Sequence, residues 1–118
     1  YALYNIMQKE ALCLDIQLKR GLLEACVLAV LNTGDSYGYQ LIKDIGECIS
    51  ISESTLYPIL KRLEAAGQLT VYTVEHNGRL RKYYQITPLG KAKLSAFSDE
   101  WKEIVAVYEF IAAHKEAD

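Results

Sequence analysis

STLYPILKRLEAAGQLTVYTVEHNGRLRKYYQI, residues 54–86, changes its hydrophobic period once, and that change sets the fold. In the first half Leu56, Ile59, Leu60 and Leu63 recur at intervals of three, one and three, which puts them on one face of a helix. Ser52 or Ser54 supplies a hydroxyl for the N-terminal cap, and Gly67 stands where a helix closes on a left-handed residue. Pro58 has no N–H and crowds the carbonyl of Ser54, so the spacing predicts either a helix start close to Ser54 or a bent first turn. From Leu69 the period falls to two, with Val71, Tyr72, Thr73 and Val74 before Asn77-Gly78 and Tyr83, Tyr84 and Ile86 after it. Both central residues of a type I′ turn need positive φ, which makes Asn-Gly between such runs the strongest short hairpin signal. A two-residue turn there sets Leu69 opposite Ile86 and Val71 opposite Tyr84 on a core face, with Tyr72 opposite Tyr83 on the other. His76, Arg79, Arg81 and Lys82 then flank the tip of a projecting ribbon.

Upstream, residues 21–32 are apolar nearly all round and read as a buried helix, stopped by Asn32-Thr33-Gly34-Asp35. Ser36 is the expected cap of a second helix carrying Leu41, Ile42 and Ile45 at helical spacing and ending near Ile49. Downstream, Thr87-Pro88 is a cap followed by proline at the first helical position. The helix it starts carries Leu94, Phe97, Trp101, Ile104, Tyr108 and Ile111 at alternating steps of three and four, a heptad seam that wants a partner helix. From Pro88 to the end of the seam and beyond it runs roughly 40 Å, longer than a small body covers. Residues 1–15 hold enough apolar side chains for an extra helix, with the long last helix as the expected place for it to dock. The divisions expected are an extension over 1–15, a three-helix unit with its ribbon over 16–87, and a C-terminal helix over 88–118.

The whole chain has 118 residues, a single domain's length, with 51% hydrophobic and 24% charged residues and only two prolines, which excludes a disordered tail. No apolar run is long enough to cross a membrane, and the N-terminus lacks the pattern of a secretion signal. Cys13, Cys26 and Cys48 are odd in number and form no Cys-x-x-Cys pair, which argues against a disulfide framework or zinc site and for a reducing cytoplasm. His76 and His114 are too far apart to be a local metal pair, so neither metal nor cofactor is expected. The net charge of −2 disfavours a nucleic-acid partner when read alone. Its distribution reverses that reading, because residues 52–91 carry six Lys or Arg against three Glu, and residues 92–118 carry three against six.

Three helices followed by a two-stranded ribbon with a basic tip is the winged helix-turn-helix order, in which the third helix enters the major groove and the wing meets backbone or minor groove. The fold class expected is mainly α with a two-stranded β wing, plus a long C-terminal dimerisation helix. Tyr37-Gly38-Tyr39-Gln40-Leu41, the Ser54-Thr55-Leu56-Tyr57-Pro58 segment with Arg62-Leu63-Glu64, the wing Asn77-Gly78-Arg79-Leu80-Arg81-Lys82-Tyr83-Tyr84, and Ile86-Thr87-Pro88-Leu89-Gly90 together resemble the PadR family of bacterial transcriptional regulators. The resemblance runs from about Ile16 to Ile111 and points to the small subfamily with one C-terminal helix. It implies a homodimeric, usually repressing protein that binds double-stranded DNA, and some members release DNA on binding phenolic acids or lipophilic drugs. The residues before Ile16 have no counterpart, and Ser54 stands where members often carry Gly.

The residues expected to meet DNA are Tyr37, Tyr39 and Gln40 at the second helix, Ser52, Ser54, Thr55, Tyr57 and Lys61 at the third, and Asn77, Arg79, Arg81 and Lys82 on the wing. Each has a plain alternative: the tyrosines as packing, the wing cations as a solvated loop, Arg62 as the partner of an acid on the body. Leu94, Phe97, Trp101, Ile104, Val105, Tyr108 and Ile111 are the expected dimer interface. Two copies of Trp101 across a two-fold axis, with Phe97 and Val105, enclose either a dry interface or a slot for a small aromatic or lipophilic effector; drug-sensing members carry a tryptophan at the matching place. A winged-helix protein-interaction module without DNA binding is the alternative function. An enzyme is the weakest class, because no Gly-x-Ser-x-Gly elbow, phosphate-binding glycine loop or His-Glu-x-x-His occurs.

Overall fold

The computed structural model describes residues 16–116, so the helix expected within 1–15 and its docking lie outside the described residues. The elements are α1 Ile16–Thr33, α2 Gly38–Gly46, α3 Glu53–Ala65, β1 Leu69–His76, β2 Arg79–Ile86 and α4 Pro88–His114. This is the mainly helical chain with a two-stranded wing that the period change predicts. α1 begins five residues before its apolar run because that run marks what is buried, not where backbone hydrogen bonding begins; residues 16–20 are exposed and helical all the same.

One core gathers Leu23, Val27, Leu28 and Leu31 of α1, Leu41 and Ile45 of α2, Leu56, Ile59, Leu60 and Leu63 of α3, and Leu69 and Tyr84 of the hairpin. Every one of these is at most 6% exposed, so each α3 leucine contributes close to the ~1.5–3 kcal/mol of a fully buried aliphatic side chain. The hairpin register is the expected one, Leu69 with Ile86, Val71 with Tyr84 and Tyr72 with Tyr83. Asn77 at φ 51° and Gly78 at φ 77° make its turn, both left-handed as type I′ requires.

Ser36 does not cap α2. Its backbone exchanges two hydrogen bonds with Tyr84, N–H to O at 3.2 Å and O from N–H at 2.7 Å, which pairs it with the free edge of β2 and leaves Tyr37 at the cap position. α2 also stops at Gly46 rather than near Ile49. α3 starts at Glu53, one residue before Ser54, and carries Pro58 inside it. It ends in a Schellman motif: Gly67, at φ 75°, gives its N–H to the Glu64 carbonyl, and Gln68 gives its N–H to the Leu63 carbonyl, both at 2.9 Å.

That closure is joined directly to the start of α4. The Thr87 hydroxyl donates to the Gly67 carbonyl at 2.6 Å while accepting from the Gly90 N–H at 3.1 Å, and the Thr87 N–H donates to the Gln68 carbonyl at 3.1 Å. Gly90 is buried against the same Gln68 carbonyl with no space for a Cβ, so the last helix is fastened to the end of α3 by backbone contact.

Candidate nucleic-acid interface

The outward side of α3 carries Ser52, Ser54, Thr55, Tyr57 and Lys61, all exposed, because the Leu56, Ile59, Leu60 and Leu63 stripe turns the opposite side to the core. Ser52 holds the cap position without capping through its side chain; its hydroxyl lies 3.0 Å from that of Ser54 and 3.2 Å from that of Thr55. The result is three hydroxyls in a row at the helix start, each able to donate or accept. Tyr57 leans towards α2, where a Cβ on Gly38 would stand 2.5 Å from its phenol oxygen. Glycine at 38 is thus what lets the recognition side of α3 lie close over the start of α2.

Between α3 and the wing lies a cleft of about 180 Å³ lined by Tyr57, Leu60, Lys61 and Glu64 from the helix and Val71, Lys82 and Tyr84 from the hairpin. Lys61 and Lys82 therefore share one opening although 21 positions separate them in sequence. Arg79, Asn77 and Lys82 are exposed along the ribbon. Arg81 is drawn back: its guanidinium carbon sits 4.1 Å from the centroid of the Tyr37 ring and is half-buried there. Tyr37 meets Tyr83 edge-on at 5.5 Å, and Tyr83 stacks on Tyr72 at 5.7 Å. The Tyr72 phenol donates to Asp35 Oδ2 at 2.6 Å, and Gln85 reaches the same oxygen at 3.4 Å. That hydrogen bond, with the neighbouring carboxylate, raises the Tyr72 pKa above its ordinary value, and burial does the same for Tyr84.

This aromatic row on the outer face of the hairpin has no signal in the sequence beyond the Tyr72 and Tyr83 pairing, since Asp35 and Tyr37 enter it from the loop before α2. Among the other residues expected at DNA, Tyr39 is 71% exposed, and Gln40 gives its amide to Asp44 at 2.9 Å within α2. Arg62 pairs not with Glu64 but with Glu24 of α1, at 3.3 Å. It belongs to the body.

On α4 the expected seam divides. Leu94 packs on the core, and Phe97 faces a hollow of about 280 Å³ between α1, α3 and α4 with Leu28 and Leu63. Trp101 is half-buried with its ring centroid 5.7 Å from that of Phe97. Ile104, Val105, Tyr108 and Ile111 are exposed, as are Val107 and Phe110 on adjacent faces. Among the described residues no cluster of His, Cys, Asp or Glu could hold a metal ion, and no helix is long and apolar enough to cross a membrane.

A family model described as the transcriptional regulator PadR-like family matches residues 27–96, from the middle of α1 to the first turns of α4. The chain belongs to the PadR family. An uncharacterised protein of Lysinibacillus sphaericus is 36% identical over 76% of this chain and 87% of its own length. The crystal structure of smu.1704 from Streptococcus mutans is 45% identical, with a TM-score of 0.68 over 80% of this chain and 86% of that one. A PadR family transcription regulator from Clostridium difficile is 30% identical, with a TM-score of 0.72 over 76% of this chain and 97% of that one. PadR proteins are regulators of transcription, not enzymes, and the three helices with the β1–β2 wing are their DNA-binding fold. The chain is accordingly a DNA-binding transcriptional regulator.

Proposed function

We propose that this PadR protein is a repressor that binds operator DNA as a homodimer, with α3 in the major groove and the wing against the adjacent backbone. The observation that carries the DNA side is the cleft where Lys61 of α3 and Lys82 of the wing meet beside the hydroxyl row of Ser52, Ser54 and Thr55. Hydroxyls suit base edges, and long cations suit phosphates. Tyr39, Asn77 and Arg79 extend the surface on either side. Tyr37 and Arg81 support it from behind by holding the ribbon to the start of α2, and Gln40 steadies that helix through Asp44.

Residues 88–118 form the dimerisation unit. Two copies of α4 bury Ile104, Val105, Tyr108 and Ile111 against each other, a self-complementary stripe of the kind a two-fold axis needs. Trp101 and Val105 then flank the axis, with Phe97 against Trp101 from the side of the body, and together they hold a planar aromatic or lipophilic effector, whose binding shifts the angle between the two winged bodies. The regulator acts in the cytoplasm, where its DNA is.

A gel shift on the chain's own upstream DNA, repeated across salt concentrations, tests the DNA reading. Arg79→Ala weakens binding about equally on all sequences and lowers the salt slope by roughly one unit per protomer, whereas Thr55→Ala costs about 1 to 3 kcal/mol at one base position in each half-site. Unchanged affinity and slope in Arg79→Ala remove the wing from the interface.

A further inference from the structure

Beside α3, on the side away from the wing, runs a second groove of about 340 Å³. One wall is Ser54, Thr55, Pro58, Ile59 and Arg62 of α3; the other is the exposed first turns of α1, with Ile16, Lys19, Arg20 and Leu23. The charges lining it are three cations and no carboxylate. Arg62 is already held by Glu24, which leaves Lys19 and Arg20 as the cations with no ion-pair partner among the described residues. Both are exposed, and both side chains are long enough to cross a groove of this size. The wall they face is Ser54 and Thr55, the residues placed against DNA in the preceding section.

From this we infer that Lys19 and Arg20 form a second phosphate shelf, which grips the DNA backbone on the α1 side of the recognition helix while the wing grips it on the other. The inference rests on α3 being the recognition helix. Charge complementarity selects the partner: a row of phosphates is polyanionic, the groove is cationic, and its apolar floor of Leu23, Pro58 and Ile59 carries the methylene stems of the two side chains. It also accounts for how a chain of net charge −2 meets DNA, because cations stand on both flanks of α3 while the acidic surplus belongs to residues 92–118. Bound in this way, α3 is held in register by backbone contacts on two sides and reads bases between them.

Phosphate contacts carry no base sequence, so a mixed-sequence duplex at low salt is the probe and no operator is needed. Lys19→Gln and Arg20→Gln, singly and together, are compared with Lys102→Gln, whose cation lies beside Asp99 on α4. Circular dichroism and sedimentation check that each variant keeps its fold and assembly. The expected result is that each shelf substitution lowers the salt slope by about one unit per protomer on the duplex and the pair lowers it additively, while Lys102→Gln leaves it unchanged. A slope unchanged in the double variant overturns the shelf. Lys61→Ala in the same series separates the two readings: if it weakens binding while the double variant does not, only the shelf falls, and if neither weakens binding, the placement of α3 falls with it.

Discussion

Among the glycines, Gly90 leaves least room for a side chain. A Cβ there would stand against the carbonyl of Gln68 and Cγ1 of Ile86, and since the first is backbone it cannot swing aside. Gly90→Ala is therefore expected to destabilise the fold by about 1 to 3 kcal/mol, the usual cost of overpacking, read as a lower denaturant midpoint at unchanged slope. Nothing in the local pattern at Pro88-Leu89-Gly90 announces this, because Gln68 lies 22 positions earlier in the chain. Tyr72 gives a residue-scale test by pH. Its pKa is raised in the folded protein by the hydrogen bond to Asp35, so the folded state holds that proton more firmly than the unfolded chain. The stability it contributes is fully present below about pH 10, the ordinary tyrosine value, and is lost as pH rises through the raised one. Tyr72→Phe should show a shallower alkaline fall in stability than the parent, with no difference between the two slopes near neutrality. An equal fall in both would take the Asp35 contact out of the account.

Among the elements, the hairpin was the most legible in sequence and α2 the least. Asn77-Gly78 admits one short turn, and an alternating strand slipped by one residue would turn its whole core face to water, so turn and pattern fix the same register. Thr87-Pro88 likewise placed the start of α4 to the residue, and its cap is made as that dipeptide implies. α2 differs from its expected bounds at both ends: at the start the backbone of Ser36 is claimed by Tyr84, 48 positions away, and at the end the helix stops at Gly46 although Ile49 continues the apolar spacing. Of the candidate DNA surface, sequence periodicity found the exposed side of α3 and the wing cations. It held Arg62 as the partner of an acid on the body without naming Glu24, and it missed the Arg81 to Tyr37 stacking and the cationic groove at α1, pairings between elements that no local spacing encodes. For α4 the prediction is direct: Ile104→Glu together with Tyr108→Glu should give monomers in sedimentation, since burying two carboxylates across a two-fold axis sets like charges together. A dimer that persists would place the interface on another face.

At the scale of the whole molecule, the end of α3 is joined directly to the start of α4. Gly67, Gln68, Thr87 and Gly90 bind the end of one helix to the start of the other through backbone and one hydroxyl, with no flexible linker between them. The 27 residues of α4 make an arm of roughly 40 Å, and in the proposed dimer its far half sits on the two-fold axis. Mechanically this is a tiller: with backbone contacts in place of a linker at the joint, a turn at the axis is passed on to the reading head. A tilt of about 5° over a ~40 Å arm sweeps roughly 3.5 Å, which is one base-pair step along the duplex. A tilt offsets the added length of one inserted pair but not its twist, since at about 10 to 10.5 pairs per turn each pair also rotates one half-site by roughly 35° about the duplex; a single inserted pair at the operator centre is therefore expected to cost some affinity and half a helical turn to cost far more. Band-shift affinities on duplexes with graded insertions measure this. An equal loss at the first inserted pair and at half a turn would mean that the axis itself is locked, and that the arm serves to hold a distance rather than to steer.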